Sequence, residues 1–446
     1  MKQFDFGIIG AGPAGYTAAI RAAQLGKTVV LFEKEFLGGV CLNKGCIPTK
    51  TFLHCADVYN SLKKVSNLGI NIENYSLDFA KAAERKEKTV EKIRKSLEML
   101  LKSYGIEIVF SEARIAKCKE QSVKNDNSSL LTANCSLIEA NGETYEFSNV
   151  LIATGAEPKC VGGFEFDHEF ILNSDDVLNL KTLPQKVLIV GSGAIGVEWA
   201  RIFSAFGTEV TIVEIAERLL PLADFEISQR LERTFKISRI KTFLSTGVNE
   251  IKDKKVTLSN GEILEPDFVL FATGRRINEI ENIDKLPTIG DCSGSIQLAH
   301  FASHQGVQVV NKIILGEDVK KFLVPSVVYG HPEIAWIGVS EKELEGKNYK
   351  KSVFPMSALG KAQADGDLEG FVKILADKEG KILGAHIIGQ EASALIHQIT
   401  IAMENNLKVE DLKHCCFAHP TYSEGVFEAL LGLDNESLSL LRGQNA

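Results

Sequence analysis

A chain of 446 residues, 45% hydrophobic and 24% charged, has room for several domains with sizeable cores and is neither fibrous nor disordered in composition. A net charge of −8 with no dominating basic stripe excludes nucleic acid as the main partner. No apolar run approaches the roughly 18 residues of a membrane span. Met1-Lys2-Gln3-Phe4-Asp5 leads straight into a strand and leaves no room for a signal peptide, so a soluble cytoplasmic protein with no membrane partner is expected. Nine scattered cysteines, an odd number, do not read as a secreted disulfide framework.

Phe4 to Ile9 reads as a short buried strand and is followed at once by Gly10-Ala11-Gly12-Pro13-Ala14-Gly15. Tyr16 to Leu25 then reads as a helix ended by Gly26, and Thr28 to Phe32 as a second strand closed by Glu33. A glycine triplet between strand and helix, with an acid 18 residues past its last glycine, is the dinucleotide fingerprint in full. Gly10, Gly12 and Gly15 let the backbone meet a pyrophosphate at the helix N-terminus, and Glu33 can accept from an adenosine ribose.

Next comes Gly38-Gly39-Val40-Cys41-Leu42-Asn43-Lys44-Gly45-Cys46-Ile47-Pro48-Thr49-Lys50. Two cysteines with four residues between them can close a small disulfide ring if the intervening backbone makes one helical turn. Gly39 and Gly45 let that backbone bend toward a flat ligand. A helix starting here would aim its amides at the sulfurs, lower the thiol pKa and favour a thiolate. Lys50 follows Cys46 by one helical turn and should point the same way.

Residues 52–103 look helical, and the mixed charges between Lys81 and Lys102 read as a solvated face. Gly105 to Tyr145 alternates strands and polar turns, with a loop at Lys124–Ser129, and Val150 to Gly155 is a buried strand ending in an Ala-Thr-Gly turn. The first unit then recurs. Lys186 to Val190 is a strand, Gly191-Ser192-Gly193-Ala194-Ile195-Gly196 repeats the glycine signature, and Glu214 stands 18 residues past Gly196. The offset is 181 for Gly10 and Gly191, for Gly26 and Gly207, and for Glu33 and Glu214. A second Ala-Thr-Gly strand runs from Asp267 to Gly274. One chain thus carries two dinucleotide sites. Glu214 accepts from a free ribose 2′-hydroxyl and repels a 2′-phosphate, which favours NAD over NADP although Arg218 follows four residues later.

Towards the C-terminus the composition shifts to strands at Val324–Tyr329, Phe371–Leu375 and Ile382–Ile388, then helices at Ala392–Asn405 and Ser423–Leu431. His419-Pro420-Thr421-Tyr422-Ser423-Glu424 places a histidine five residues ahead of a carboxylate. That can be a satisfied core pair, or it can be the acid–base group that thiol–disulfide exchange needs, with Glu424 fixing the tautomer of His419.

From Phe4 to about Leu431 the sequence resembles the pyridine nucleotide–disulfide oxidoreductases, through the Cys41/Cys46 motif, the two fingerprints and the His419–Glu424 pair. The resemblance implies an α/β fold: two Rossmann-like dinucleotide-binding domains, for FAD and NAD, plus a C-terminal α+β dimerisation domain. It implies boundaries at 1–155 and 276–322 for the FAD domain, 156–275 for the NAD domain and 323–446 for dimerisation. Cys41 is then the interchange thiol, and Cys46 the thiol against the flavin. His419 and Glu424 are the acid–base dyad, supplied by the second subunit of a homodimer. Lys50 pairs with Glu198 beside the flavin, Ile195 gates the nicotinamide pocket, and Asp291 holds the FAD ribityl chain. Gly155, Gly274 and Gly196 complete the cofactor turns. The implied activity is reoxidation of protein-bound dihydrolipoamide with NAD, in partnership with lipoyl-bearing proteins of 2-oxoacid dehydrogenase or glycine cleavage complexes. The alternative is a stand-alone NAD(P)H-dependent disulfide or mercuric reductase. The chain departs from the family pattern after Arg276, where only 13 residues separate it from Gly290-Asp291 and the strand leading into Asp291 is barely present. Cys415-Cys416 resembles the paired cysteines of mercuric reductases but does not stand at the extreme C-terminus, so core or near-surface thiols are expected. Cys55, Cys118, Cys135, Cys160 and Cys292 have no metal-ligand spacing. His300 and His304, on an expected helix after Asp291, read as structural.

Overall fold

The computed structural model describes residues 2–118, 136–279 and 286–440. The Lys124–Ser129 loop, Cys135, part of the shortened segment after Arg276 (280–285) and the side chain of Cys118 lie outside the described residues. The chain divides into two compact units, 1–51 with 80–159 and 274–320, and 52–79 with 160–273 and 321–446.

The first unit is built on a six-stranded sheet of β1 (Lys2–Ile9), β2 (Val29–Glu33), β3 (Glu107–Phe110), β4 (Arg114–Cys118), β5 (Ser136–Ala140) and β6 (Glu143–Ile152). Its order is β3-β2-β1-β6-β5-β4, parallel from β3 to β6 and antiparallel beyond. Helix α1 (Pro13–Gln24) makes the crossover between β1 and β2. Pro13 suits its first turn, where an N–H would have no partner. The buried face of α1 is Ala14, Gly15, Ala18, Ala19 and Ala22, an i, i+4 stripe of small side chains. That stripe lets the Ala299–Leu315 helix come close, where a Cβ at Gly306 would meet the Ala14 carbonyl at 2.5 Å. Phe6, Ile8, Val29, Leu31 and Leu151 fill one side of the sheet. On the other, Phe32 meets Tyr145 and Phe147 edge to face, while those two rings stack on each other.

Two short helices, α2 (Gly39–Lys44) and α3 (Cys46–Leu62), follow β2, and α4 (Phe79–Ser103) precedes β3. The expected continuous helix over 52–103 is therefore two helices with a break. Gly69 turns the chain in the break at φ +78°. The strand leading into Asp291 is reduced to one parallel bridge, Thr288 to Ile152, as the short spacing predicted.

The second unit repeats the dinucleotide pattern in a five-stranded parallel sheet, ordered Lys241–Phe243, Glu209–Val213, Lys186–Val190, Phe268–Phe271, Ile171–Leu172. The repeat extends to the backbone: φ is +103° at Gly10 and +101° at Gly191, and the helix-capping Gly12 and Gly193 share an extended conformation. The same unit holds an antiparallel sheet of Ser326–Val328, Glu333–Gly338, Ile382–Gly389, Phe371–Ala376 and Lys350–Pro355, with the Ala392–Glu404 and Ser423–Gly432 helices packed on it. No helix among the described residues is long and apolar enough to cross a membrane.

Candidate active site

Cys41 lies inside α2 and Cys46 opens α3, so the backbone between them is the single helical turn that the spacing predicted. Gly38 and Gly39 enter that turn at φ +92° and +57°. A Cβ on Gly39 would meet the Gly12 Cα at 2.6 Å, so the cysteine turn seats directly on the first glycine turn. The Cys41 thiol is pushed well above its ordinary range, first by its hydrogen bond with Cys46, then by burial and by charge on Cys46; Lys50 pulls the other way. This corrects the expected low thiol pKa. The neighbouring sulfur and burial outweigh the helix amides, and the pair does not carry two negative charges at once.

Tyr16, on the first turns of α1, also belongs to this site. Burial raises its phenol, Cys41 raises it further, and a hydrogen bond with Ser303 opposes both. Asn43, inside the cysteine turn, donates to the carbonyls of Leu37 at 2.9 Å and Gly39 at 2.8 Å. Nothing in the motif spacing marks Tyr16, whose place depends on α1 lying beside the turn.

Each glycine of the first fingerprint has a measurable task. A Cβ on Gly10 would meet the Ala153 carbonyl at 2.3 Å, and one on Gly15 would meet the Gly10 carbonyl at 1.8 Å. Glu33 is buried and accepts from the Ala11 and Glu35 amides at 2.9 and 2.8 Å. The second fingerprint is built alike, with Gly191 against the Ala272 carbonyl at 2.6 Å and Gly196 against the Gly191 carbonyl at 2.0 Å. The Glu214 carboxylate accepts from the Ser192 amide at 2.8 Å, the Ser192 hydroxyl at 2.7 Å and the Ala216 amide at 2.9 Å. Around a Cβ built on Gly193, Gly155 or Gly274 there is nothing within 4 Å, so bare backbone faces open space at these turns. Bare glycine backbone at a helix N-terminus with a carboxylate at the next strand end fits a dinucleotide's pyrophosphate and ribose, once in each unit. Arg218 spends its guanidinium on the carbonyls of Pro221 and Ala223, at 2.8 and 3.3 Å. Ile195 is half-buried in the first turn of the Ala194–Ala205 helix.

Asp291 sits in a short turn (Gly290–Ser293), its carboxyl raised by burial against the opposing pull of Arg275. The Gly290 amide of that turn donates to Gln305 at 2.7 Å. In the second unit the buried Glu198 accepts from the Tyr329 amide at 3.1 Å.

His419 Nδ1 and Glu424 Oε1 are 2.8 Å apart, and Glu424 Oε2 accepts from the Thr421 amide at 2.8 Å. Burial pushes the Glu424 carboxyl up, but His419 and Thr421 outweigh it and hold the group below its usual range. An ionised Glu424 keeps the proton on Nδ1 and leaves Nε2 as the acceptor. The His419–Pro420 bond is cis, and the imidazole is 73% exposed. Cys415 and Cys416 are exposed, Cys55 and Cys160 half-buried and Cys292 buried. His300 and His304 lie on the Ala299–Leu315 helix. Among the described residues no group of three or more His, Cys, Asp or Glu could hold a metal ion.

Two nucleotide turns, a thiol pair seated on the first of them and a carboxylate-bound histidine define a disulfide oxidoreductase that works with dinucleotides. The chain belongs to the pyridine nucleotide-disulphide oxidoreductase family, whose model matches residues 4–288, with the family's dimerisation domain matching residues 324–430. It is 36% identical over 469 residues to the dihydrolipoyl dehydrogenase of Chlamydia trachomatis, with 97% of each chain covered. It is 34% identical over 478 residues to a dihydrolipoyl dehydrogenase of Bacillus subtilis, covering 98% of this chain and 99% of that one. Among solved structures, LpdA from Mycobacterium tuberculosis shares the fold with a TM-score of 0.85 at 24% identity, over 96% of this chain and 99% of that one.

Proposed function

We propose that the chain is a dihydrolipoyl dehydrogenase, a homodimeric flavoprotein of the cytoplasm that reoxidises protein-bound dihydrolipoamide with NAD. The observation that carries this reading is the Cys41/Cys46 thiol pair seated on the first glycine turn, in a chain that also presents His419, held by Glu424, with its imidazole exposed.

In the oxidising direction, Nε2 of His419 from a second copy takes a proton from a dihydrolipoamide thiol. The substrate thiolate attacks the Cys41 sulfur of the Cys41–Cys46 disulfide, and Cys46 leaves as a thiolate. The second substrate thiol attacks the mixed disulfide and releases Cys41, which takes up a proton as lipoamide departs. Substrate dithiol has become disulfide, and the protein's disulfide has become dithiol. The first glycine turn and Glu33, with Asp291, would hold FAD; the second turn and Glu214 would hold NAD, behind Ile195. FAD supplies the conversion between dithiol and hydride chemistry. Lys50 and Glu198 keep the roles that the resemblance gives them. The partners are lipoyl-bearing proteins of 2-oxoacid dehydrogenase or glycine cleavage complexes.

The test is to assay the purified protein with NADH and with NADPH against lipoamide, oxidised glutathione and Hg(II). NADH with lipoamide should be the fastest combination. Faster turnover of glutathione or Hg(II) would replace the substrate assignment, and equal use of NADPH would overturn the role given to Glu214.

A further inference from the structure

Helix α4 buries Lys86, Val90 and Leu101, the inward stripe of an otherwise charged helix, and Arg94 falls one turn after Val90 in that stripe. A guanidinium at such a position needs a reason, because removing a cation from water is costly unless it is paired or hydrogen-bonded. Its partner is Asn43. Arg94 Nε and Nη2 both donate to Asn43 Oδ1, at 3.0 and 2.8 Å, and the guanidinium lies over the Phe36 ring at 4.0 Å. The Asn43 amide group in turn donates to the Leu37 and Gly39 carbonyls. The side chain of Asn43 therefore ties both ends of the turn that carries Cys41, and Arg94 fixes which way that side chain faces. Phe36, Leu37, Gly39 and Asn43 are all held from α4 by one side chain.

We propose that Arg94 is a positioning residue for the redox pair, acting through Asn43 to hold Cys41 where it can close a disulfide with Cys46. The proposal rests on the assignment of Cys41 and Cys46 as that pair. Closing a small ring depends on how often the two sulfurs meet, so a loosened turn favours the open dithiol. A planar fork with several donors suits this clamp, and an ammonium cannot reproduce it.

The holoenzyme is equilibrated in lipoamide/dihydrolipoamide mixtures, and the Cys41–Cys46 disulfide is quantified by thiol alkylation and mass spectrometry. Arg94→Met should move the equilibrium toward the dithiol by about tenfold, or about 30 mV for a two-electron couple. It should lower lipoamide kcat while leaving NADH-to-dye transfer intact. Asn43→Ala should give the same shift, and the double variant no more than either single one, because the two act as a unit. Arg94→Lys should remain near Arg94→Met. FAD content and thermal melting monitor folding, and Arg94→Gln replaces the methionine variant if that one fails to accumulate. An unchanged equilibrium in a folded Arg94→Met enzyme would overturn the proposal. So would additive shifts in the double variant, or full rescue by lysine, which would reduce Arg94 to a distant charge. Failure of the underlying assignment is distinguishable, since a wild-type protein without a Cys41–Cys46 disulfide under oxidising conditions contradicts it before any variant is made.

Discussion

Cys41 and Cys46 sit in one helical turn, yet the protein treats them differently. The Cys41 thiol is raised by its hydrogen bond with Cys46 and by burial, so the pair carries at most one negative charge, and the proposed roles put that charge on Cys46 beside the flavin. Cys46→Ser should therefore abolish the long-wavelength absorption of a thiolate beside the flavin in the two-electron-reduced enzyme, and Cys41→Ser should keep it. Both should stop lipoamide turnover and leave NADH-to-dye transfer; a Cys41→Ser protein with full lipoamide activity would contradict the interchange role. The cysteine spacing, the two fingerprints and the His419–Glu424 pair were readable because each is local, with the chemistry set by neighbours a few residues away. Tyr16, Asn43 with Arg94, and Gln305 at the Asp291 turn were not readable. Each depends on two elements far apart in sequence lying side by side, and a lone tyrosine or arginine in a helix carries no mark of that.

At the level of elements, burial leaves a charge inside the second unit that only its partners make tolerable. Lys373, fully buried on the Phe371–Ala376 strand, donates to Asp224 at 2.8 Å and to Glu341. Asp224 also caps the Phe225–Ile237 helix by accepting from the Glu226 amide at 3.1 Å. Burial opposes each charge, but the hydrogen bonds outweigh it, lowering Asp224 and Glu341 and raising Lys373 from their ordinary values of 3.8, 4.5 and 10.5. The lowered carboxyls contribute stability above their unfolded values, lost as pH falls through their native ones. The raised ammonium contributes below its unfolded value, lost as pH rises through its native one. Stability from this network is thus greatest between about pH 5 and 10. Lys373→Met should cost about 3–5 kcal/mol at neutral pH, since it strands a buried Asp224 carboxylate, and thermal melting against pH should show a weakened neutral maximum. An unshifted melting curve would contradict the account. Such networks are invisible to pattern reading, where Lys373 is one polar position in an apolar strand. The Phe4–Ile9, Lys186–Val190, Phe371–Leu375 and Ile382–Ile388 strands were legible from their apolar runs, but the Glu333–Gly338 and Lys350–Pro355 strands and the Phe225–Ile237 helix were not named from the sequence, and across residues 63–78 helix-compatible composition hid a break at which Gly69 turns the chain.

At the scale of the whole molecule, the 181-residue repeat builds two dinucleotide turns with the same backbone, and the dimerisation domain carries His419 exposed on its own chain. The central claim is that the thiols of one copy work with the histidine of another. A general acid–base is worth about 10²–10⁴ in rate, so His419→Gln should lower lipoamide turnover by that order and spare flavin reduction by NADH. The direct measurement mixes His419→Gln with Cys41→Ser subunits, reassembles them and isolates the hybrid by two tags. One site of each hybrid then unites an intact thiol pair with an intact base, and the other has neither. The account predicts lipoamide turnover in the hybrid near half that of the wild type, where both parent variants are all but inactive. A purified hybrid as inactive as its parents would place base and thiols on one chain and contradict the claim.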